Sequence, residues 1–232
     1  MHNYERIIVA LDRTSRGDLL ALADKLHGVV GVYKLGLQAF VANGPSIVRD
    51  LVSRGGKVFL DLKLHDIPNT VQHAVEEASA LGAAMLTIHA SGGRAMMSAA
   101  AKAAKSPSRP LILGVTILTS LGQSDLAEVG FTGSPAQSAV RLARLAQDSG
   151  LDGVVASPLE IESIRAACGS EFVVVTPGIR SAHDSRGDQK RTMTAKEAIA
   201  AGATYIVVGR PITEARDPRE AAVSLLESAK DA

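Results

Sequence analysis

The chain has 232 residues, 46% of them hydrophobic, with 25 Lys and Arg against 24 Asp and Glu for a formal net charge of +1. That length suits one large core and a single domain over 1–232. Near-neutral charge, 3% aromatics and no Trp leave no basis for nucleic acid or an anionic membrane as partner.

The opening MHNYERIIVALD lacks the basic-then-apolar layout of a signal peptide, and no apolar run reaches about 18 residues. A soluble, cytoplasmic protein is therefore expected. The first predicted strand, RIIVALD (6–12), ends on Asp12. The second, GVYKLG (31–36), carries Lys34, and the third, KVFLDLK (57–63), carries Asp61 and Lys63. AAMLTIHA (83–90) brings His89, LILGVTIL (111–118) leads into Thr119 and Ser120, and DGVVAS (152–157) ends on Ser157. EFVVVTPG (171–178) precedes Arg180, and YIVVGR (205–210) closes the series on Arg210. Most of these runs are apolar at consecutive positions, the mark of strands buried on both faces.

Helical segments fill the gaps. Ser134 with Gln137, Ser157 with Glu160, Thr194 with Glu197 and Asp217 with Glu220 read as N-caps with third-position partners. Gly82, Gly150 and Gly202 suit left-handed helix ends. Cys168, the sole cysteine, rules out an intrachain disulfide and is expected to be buried in a helix. Eight strand–helix units, with no glycine-rich dinucleotide turn after the first strand, predict a (β/α)8 TIM barrel.

In such a barrel the site lies at the C-terminal strand ends. Lys34, flanked by apolar residues, reads as a site residue more than a solvated lysine. Asp12 and His89 have stronger bland alternatives, a turn former and a core histidine bonded to backbone. FLDLKLHDIPNT (59–70) is harder to dismiss as structural, because buried ion pairs are a poor source of stability. Alternation places Asp61 and Lys63 on one face roughly 6–7 Å apart, with Leu60, Leu62 and Leu64 toward the helices. Asp66 lies beyond the strand, and Asn69 with Gln72 is expected to cap the next helix. A Schiff-base lysine needs a desolvated or cationic setting. Between two carboxylates, Lys63 reads instead as a fixed positive charge and proton donor. That suits a reaction in which charge develops on carbon and then takes up a proton.

The loops after strands seven and eight, TPGIRSAHDSRGDQKR and VVGRPIT, pair Gly178 and Gly209 with Arg180 and Arg210, as a phosphate site requires. The polar stretch 180–191, with Gln189, is long enough for a phosphate-closing lid.

Taken together, ALD, YKLG, FLDLKLHDIPNT, VTILTSL, TPGIR with GDQKR, and VVGRPIT resemble the orotidine 5′-monophosphate decarboxylase family over the whole chain. The resemblance implies conversion of orotidine 5′-monophosphate to UMP and CO2 with no cofactor and no metal. It implies ribose contacts from Asp12 and Lys34, and a catalytic array of Asp61, Lys63 and Asp66 that Lys34 joins. It also implies substrate contacts from Ile67, Thr70, Thr119, Ser120, Pro177, Arg180, Gln189, Gly209 and Arg210. The working unit would be a homodimer in which Asp66 and Thr70 enter the neighbouring subunit's site. Two alternatives share the pattern: a Mg-dependent sugar-phosphate lyase or decarboxylase of the hexulose-phosphate synthase type, and a non-catalytic barrel that binds a phosphorylated ligand.

Overall fold

Short apolar runs between capped helical segments have one way to bury both faces, as parallel strands wrapped by helices. The computed structural model describes residues 3–104, 109–179 and 192–229. Among them the eight expected runs form β1 (Ile7–Ala10), β2 (Val32–Gly36), β3 (Lys57–Leu64), β4 (Met85–His89), β5 (Leu111–Val115), β6 (Gly153–Val155), β7 (Val173–Thr176) and β8 (Tyr205–Val208). Each strand pairs in parallel with the next, and β8 pairs with β1 to close the barrel.

Alternation along each strand divides the core in two. Ile7 and Val9 of β1 join the layer beneath the helices, with Leu35, Leu60, Leu86 and Val174. Ile8 faces inward and meets Val32, Phe59, Met85, Leu113, Val175 and Val207. These inward side chains fill the barrel with a packed plug, so a ligand is accommodated only above it.

The helix signals hold at four sites. Ser134 and Gln137 exchange both capping-box bonds, as do Thr194 and Glu197. Asp217 accepts from the backbone N–H of Arg219 and Glu220. Ser157 and Glu160 cap a short 3-10 turn, Pro158–Glu160, that leads into helix Ile161–Cys168. Cys168 ends that helix in the core, where burial pushes its thiol pKa up. One expectation fails. The helix after β3 runs Pro68–Ala80 with Ile67 as its N-cap and no side-chain cap bond. Proline at the first helical position pre-sets the backbone there. Asn69 therefore lies inside the first turn, and Gln72 donates to Glu76 instead.

At the N-terminal ends of β5 to β8 two arginines are extensively hydrogen-bonded. Arg165 donates to the carbonyls of Gly169, Ser170, Phe172 and Gly202 and to the Thr204 hydroxyl. Arg109 grips Asp152 at 2.6 and 2.7 Å, and Asp152 accepts the Ile112 N–H as well. Among the described residues, no helix is long and apolar enough to cross a membrane.

Candidate active site

The inward alternation that builds the plug also builds the site. Two residues beyond Ala10, Val32 and Phe59 come Asp12, Lys34 and Asp61; two beyond Leu113, Val175 and Val207 come Val115, Pro177 and Gly209. All six line one cavity of about 700 Å³ at the C-terminal mouth. That size matches a small-molecule site. Its floor is apolar, with Phe59, Val155 and Val207 from the strands and Ile117 from the loop after β5. Thr119 and Ser120 follow on that loop and line the wall.

On the β1–β3 side the charges alternate in sign. Asp12 Oδ1 lies 3.3 Å from Lys34 Nζ, which lies 3.8 Å from Asp61 Oδ2. Lys63 Nζ then donates to both Asp61 oxygens, at 2.8 and 2.9 Å. Asp61 is largely buried, so the two ammonium groups balance a carboxylate that would be unstable there alone. Gly36 leaves room for this chain: a Cβ there would stand 3.0 Å from Lys34 Nζ and 3.4 Å from Asp12 Oδ1.

Simple alternation does not hold as far as Lys63. Leu60 pairs with Leu86 but Leu64 pairs with Ile88, so β3 bulges against β4. Lys63 sits in the bulge at φ 52°, the one non-glycine residue at positive φ among those described. A left-handed backbone at such a residue costs of order 1–3 kcal/mol and persists only where its surroundings enforce it.

Among the described residues, no hydrogen bond or ion pair joins Lys63 to the second carboxylate expected beside it, Asp66. Asp66 is exposed, and its Oδ1 accepts the neighbouring Ile67 N–H at 2.6 Å. Ile67 is 66% exposed, Thr70 is exposed, and neither lines the cavity. His89 is half-buried and packs on His65, ring centroids 5.3 Å apart, and has no hydrogen bond to a backbone carbonyl among the described residues. Burial, and then the charges of His65 and Lys63, push its pKa down. Ser157 is a buried helix cap away from the cavity.

On the β7–β8 side Pro177, Gly178, Gly209 and Arg210 share the rim of the same cavity. Gly178 has φ 81°, a conformation that favours glycine. Arg180, Gln189 and the expected lid at 180–191 lie outside the described residues. Two residues escaped the sequence. Glu214 lines the rim where a helix end gave no signal, and Thr87, outside the cavity lining, is buried in β4, where threonine reads as an ordinary strand former.

A sequence profile described as the Orotidine 5′-phosphate decarboxylase / HUMPS family matches residues 5–225. The chain belongs to that family. A relative from Moorella thermoacetica named orotidine 5′-phosphate decarboxylase is 50% identical over 229 residues, covering 96% of this chain and 91% of its own. A relative of the same name from Neisseria meningitidis is 50% identical over 214 residues, 91% of this chain and 87% of its own. The solved orotidine 5′-phosphate decarboxylase of Lactobacillus acidophilus superposes with a TM-score of 0.86 at 36% identity, covering 97% of this chain and 98% of that one.

Proposed function

We propose that this chain converts orotidine 5′-monophosphate to UMP and CO2 with no cofactor as electron sink. One observation carries the reading. A single cavity has the Asp12–Lys34–Asp61–Lys63 chain on one side, the Gly178, Gly209 and Arg210 rim on the other, and an apolar floor between. A nucleoside monophosphate has the matching sequence of groups. The phosphate meets Arg210 and the Gly209 N–H. Asp12 and Lys34 take the ribose hydroxyls, and Thr119 and Ser120 take the pyrimidine.

The C6–carboxylate bond breaks, the electron pair stays on C6, and CO2 departs. The carbanion lies in the ring plane and is poorly delocalised, so it needs a positive charge already in position. The Lys63 ammonium supplies it, transfers a proton to C6, and regains one from solvent. Asp61 holds that ammonium by two hydrogen bonds, so little reorganisation is required as charge develops. Repulsion between Asp61 and the substrate carboxylate is a smaller contribution. Two like charges at 4 Å are worth about 4 kcal/mol at an effective dielectric of 20, against the ~20 kcal/mol or more of the largest enzymatic accelerations. Phosphate binding remote from the bond that breaks supplies part of the rest.

The exposed Asp66, Ile67 and Thr70 support a homodimer in which Asp66 and Thr70 complete the neighbouring subunit's site. Loss of orotidine 5′-monophosphate absorbance after exhaustive EDTA treatment tests the reaction. Full activity in EDTA is expected, and abolition reversed by Mg2+ would support the sugar-phosphate lyase type instead. Mixing Lys63→Ala with Asp66→Ala protein tests the dimer. Each hybrid dimer has one intact site, so the mixture should recover roughly a quarter of wild-type turnover. No recovery after subunit exchange refutes the shared site.

A further inference from the structure

Thr87 touches both of the groups that fix Lys63, and nothing in the proposed chemistry accounts for it. It lies in the middle of β4, fully buried, opposite the β3 bulge. Its Oγ1 accepts the Lys63 backbone N–H at 2.9 Å and donates to Asp61 Oδ1 at 2.9 Å. A threonine hydroxyl has one proton, and a backbone N–H can only donate. The direction of both bonds is therefore forced, and the proton goes to the carboxylate. Asp61 in turn binds Lys63 Nζ, so the bonds form a closed ring that leaves the Lys63 backbone and returns to its side chain.

We propose that Thr87 is a positioning residue, whose hydroxyl holds the Lys63 backbone in its left-handed conformation and orients Asp61 toward the Lys63 ammonium. The bulge removes the Lys63 N–H from the regular ladder, and a buried donor without an acceptor is strongly disfavoured. The Thr87 hydroxyl supplies the acceptor that makes the bulge tolerable at this residue. Valine has nearly the same shape and lacks it; serine keeps the hydroxyl and loses only a methyl group.

The kinetic part of the test rests on the decarboxylation reading, and the structural part does not. In Thr87→Val, crystal structures should show Lys63 leaving positive φ or its Nζ moving out of hydrogen-bond reach of Asp61. Thr87→Ser should keep both features. With orotidine 5′-monophosphate, Thr87→Val should lower kcat by roughly 10–100-fold with KM little changed, while Thr87→Ser stays near wild type. An unmoved Lys63 with near-normal kcat in Thr87→Val overturns the proposal, and so does a serine variant as impaired as the valine one. If wild-type protein fails to turn over the substrate, the reaction assignment falls and the two crystal structures still decide the role of Thr87.

Discussion

The two ends of the barrel handle buried charge in opposite ways. At the N-terminal end Arg165 spends its guanidinium on four carbonyls and a hydroxyl, and the Arg109–Asp152 pair is bidentate. Its charges tie adjacent loops and strands together. At the C-terminal mouth, four alternating charges line an open cavity, and one of them rides on a left-handed backbone. On the proposed function, the difference separates stability from chemistry in one fold: hydrogen-bonded arginines fix the frame, and the opposite end holds a lysine in a conformation that works against folding.

The strongest effect on turnover is expected at the mouth. Lys63→Gly should lower turnover of orotidine 5′-monophosphate by at least ~10³-fold, the order of losing a strong transition-state donor. Glycine accepts positive φ, so the melting temperature should stay within about 3 °C of wild type or rise. A large thermal loss would show that the Lys63–Asp61 pair supports the frame after all. The converse substitution is Arg165→Met. Carbonyls left unpaired at the barrel base should cost about 3 kcal/mol, a fall of roughly 6–12 °C in melting temperature. Its kcat and KM should stay within about twofold of wild type, because the sites are distant. A tenfold fall in kcat at unchanged stability would erase the division between the two ends.

A weaker dependence on pH is expected from His89. Its pKa is lowered in the folded protein, so the unfolded chain binds the proton more tightly. Stability is thus fully present above the ordinary histidine range and is lost as pH falls through the folded pKa. Partial exposure keeps this effect small. His89→Asn should flatten that slope in thermal melts; an unchanged slope would assign the pH dependence to other groups.

The strands were legible because parallel strands under helices must be apolar on both faces, and a run such as FVVVT has little else to become. The caps at Ser134, Thr194 and Asp217 were legible for a similar reason: each is satisfied within four residues. Asn69 failed because Pro68 already started the helix. Asp12, Lys34 and Asp61 could be placed by counting in twos from the apolar plug, a rule that operates along a single strand.

The barrel, the end that carries the charges and the strand-end positions Asp12, Lys34 and Asp61 were set by local periodicity along the chain. How Lys63 is held depends on contacts between strands. The bulge depends on the register between β3 and β4, and the bond that relieves it comes from Thr87, 24 residues further along the chain. The tertiary structure also separated Asp66 from Lys63, three residues away in sequence, because the chain turns outward at Asp66 and Ile67. Spacing along a strand sets which face a side chain takes, whereas the partner across a register shift depends on how the closed sheet packs.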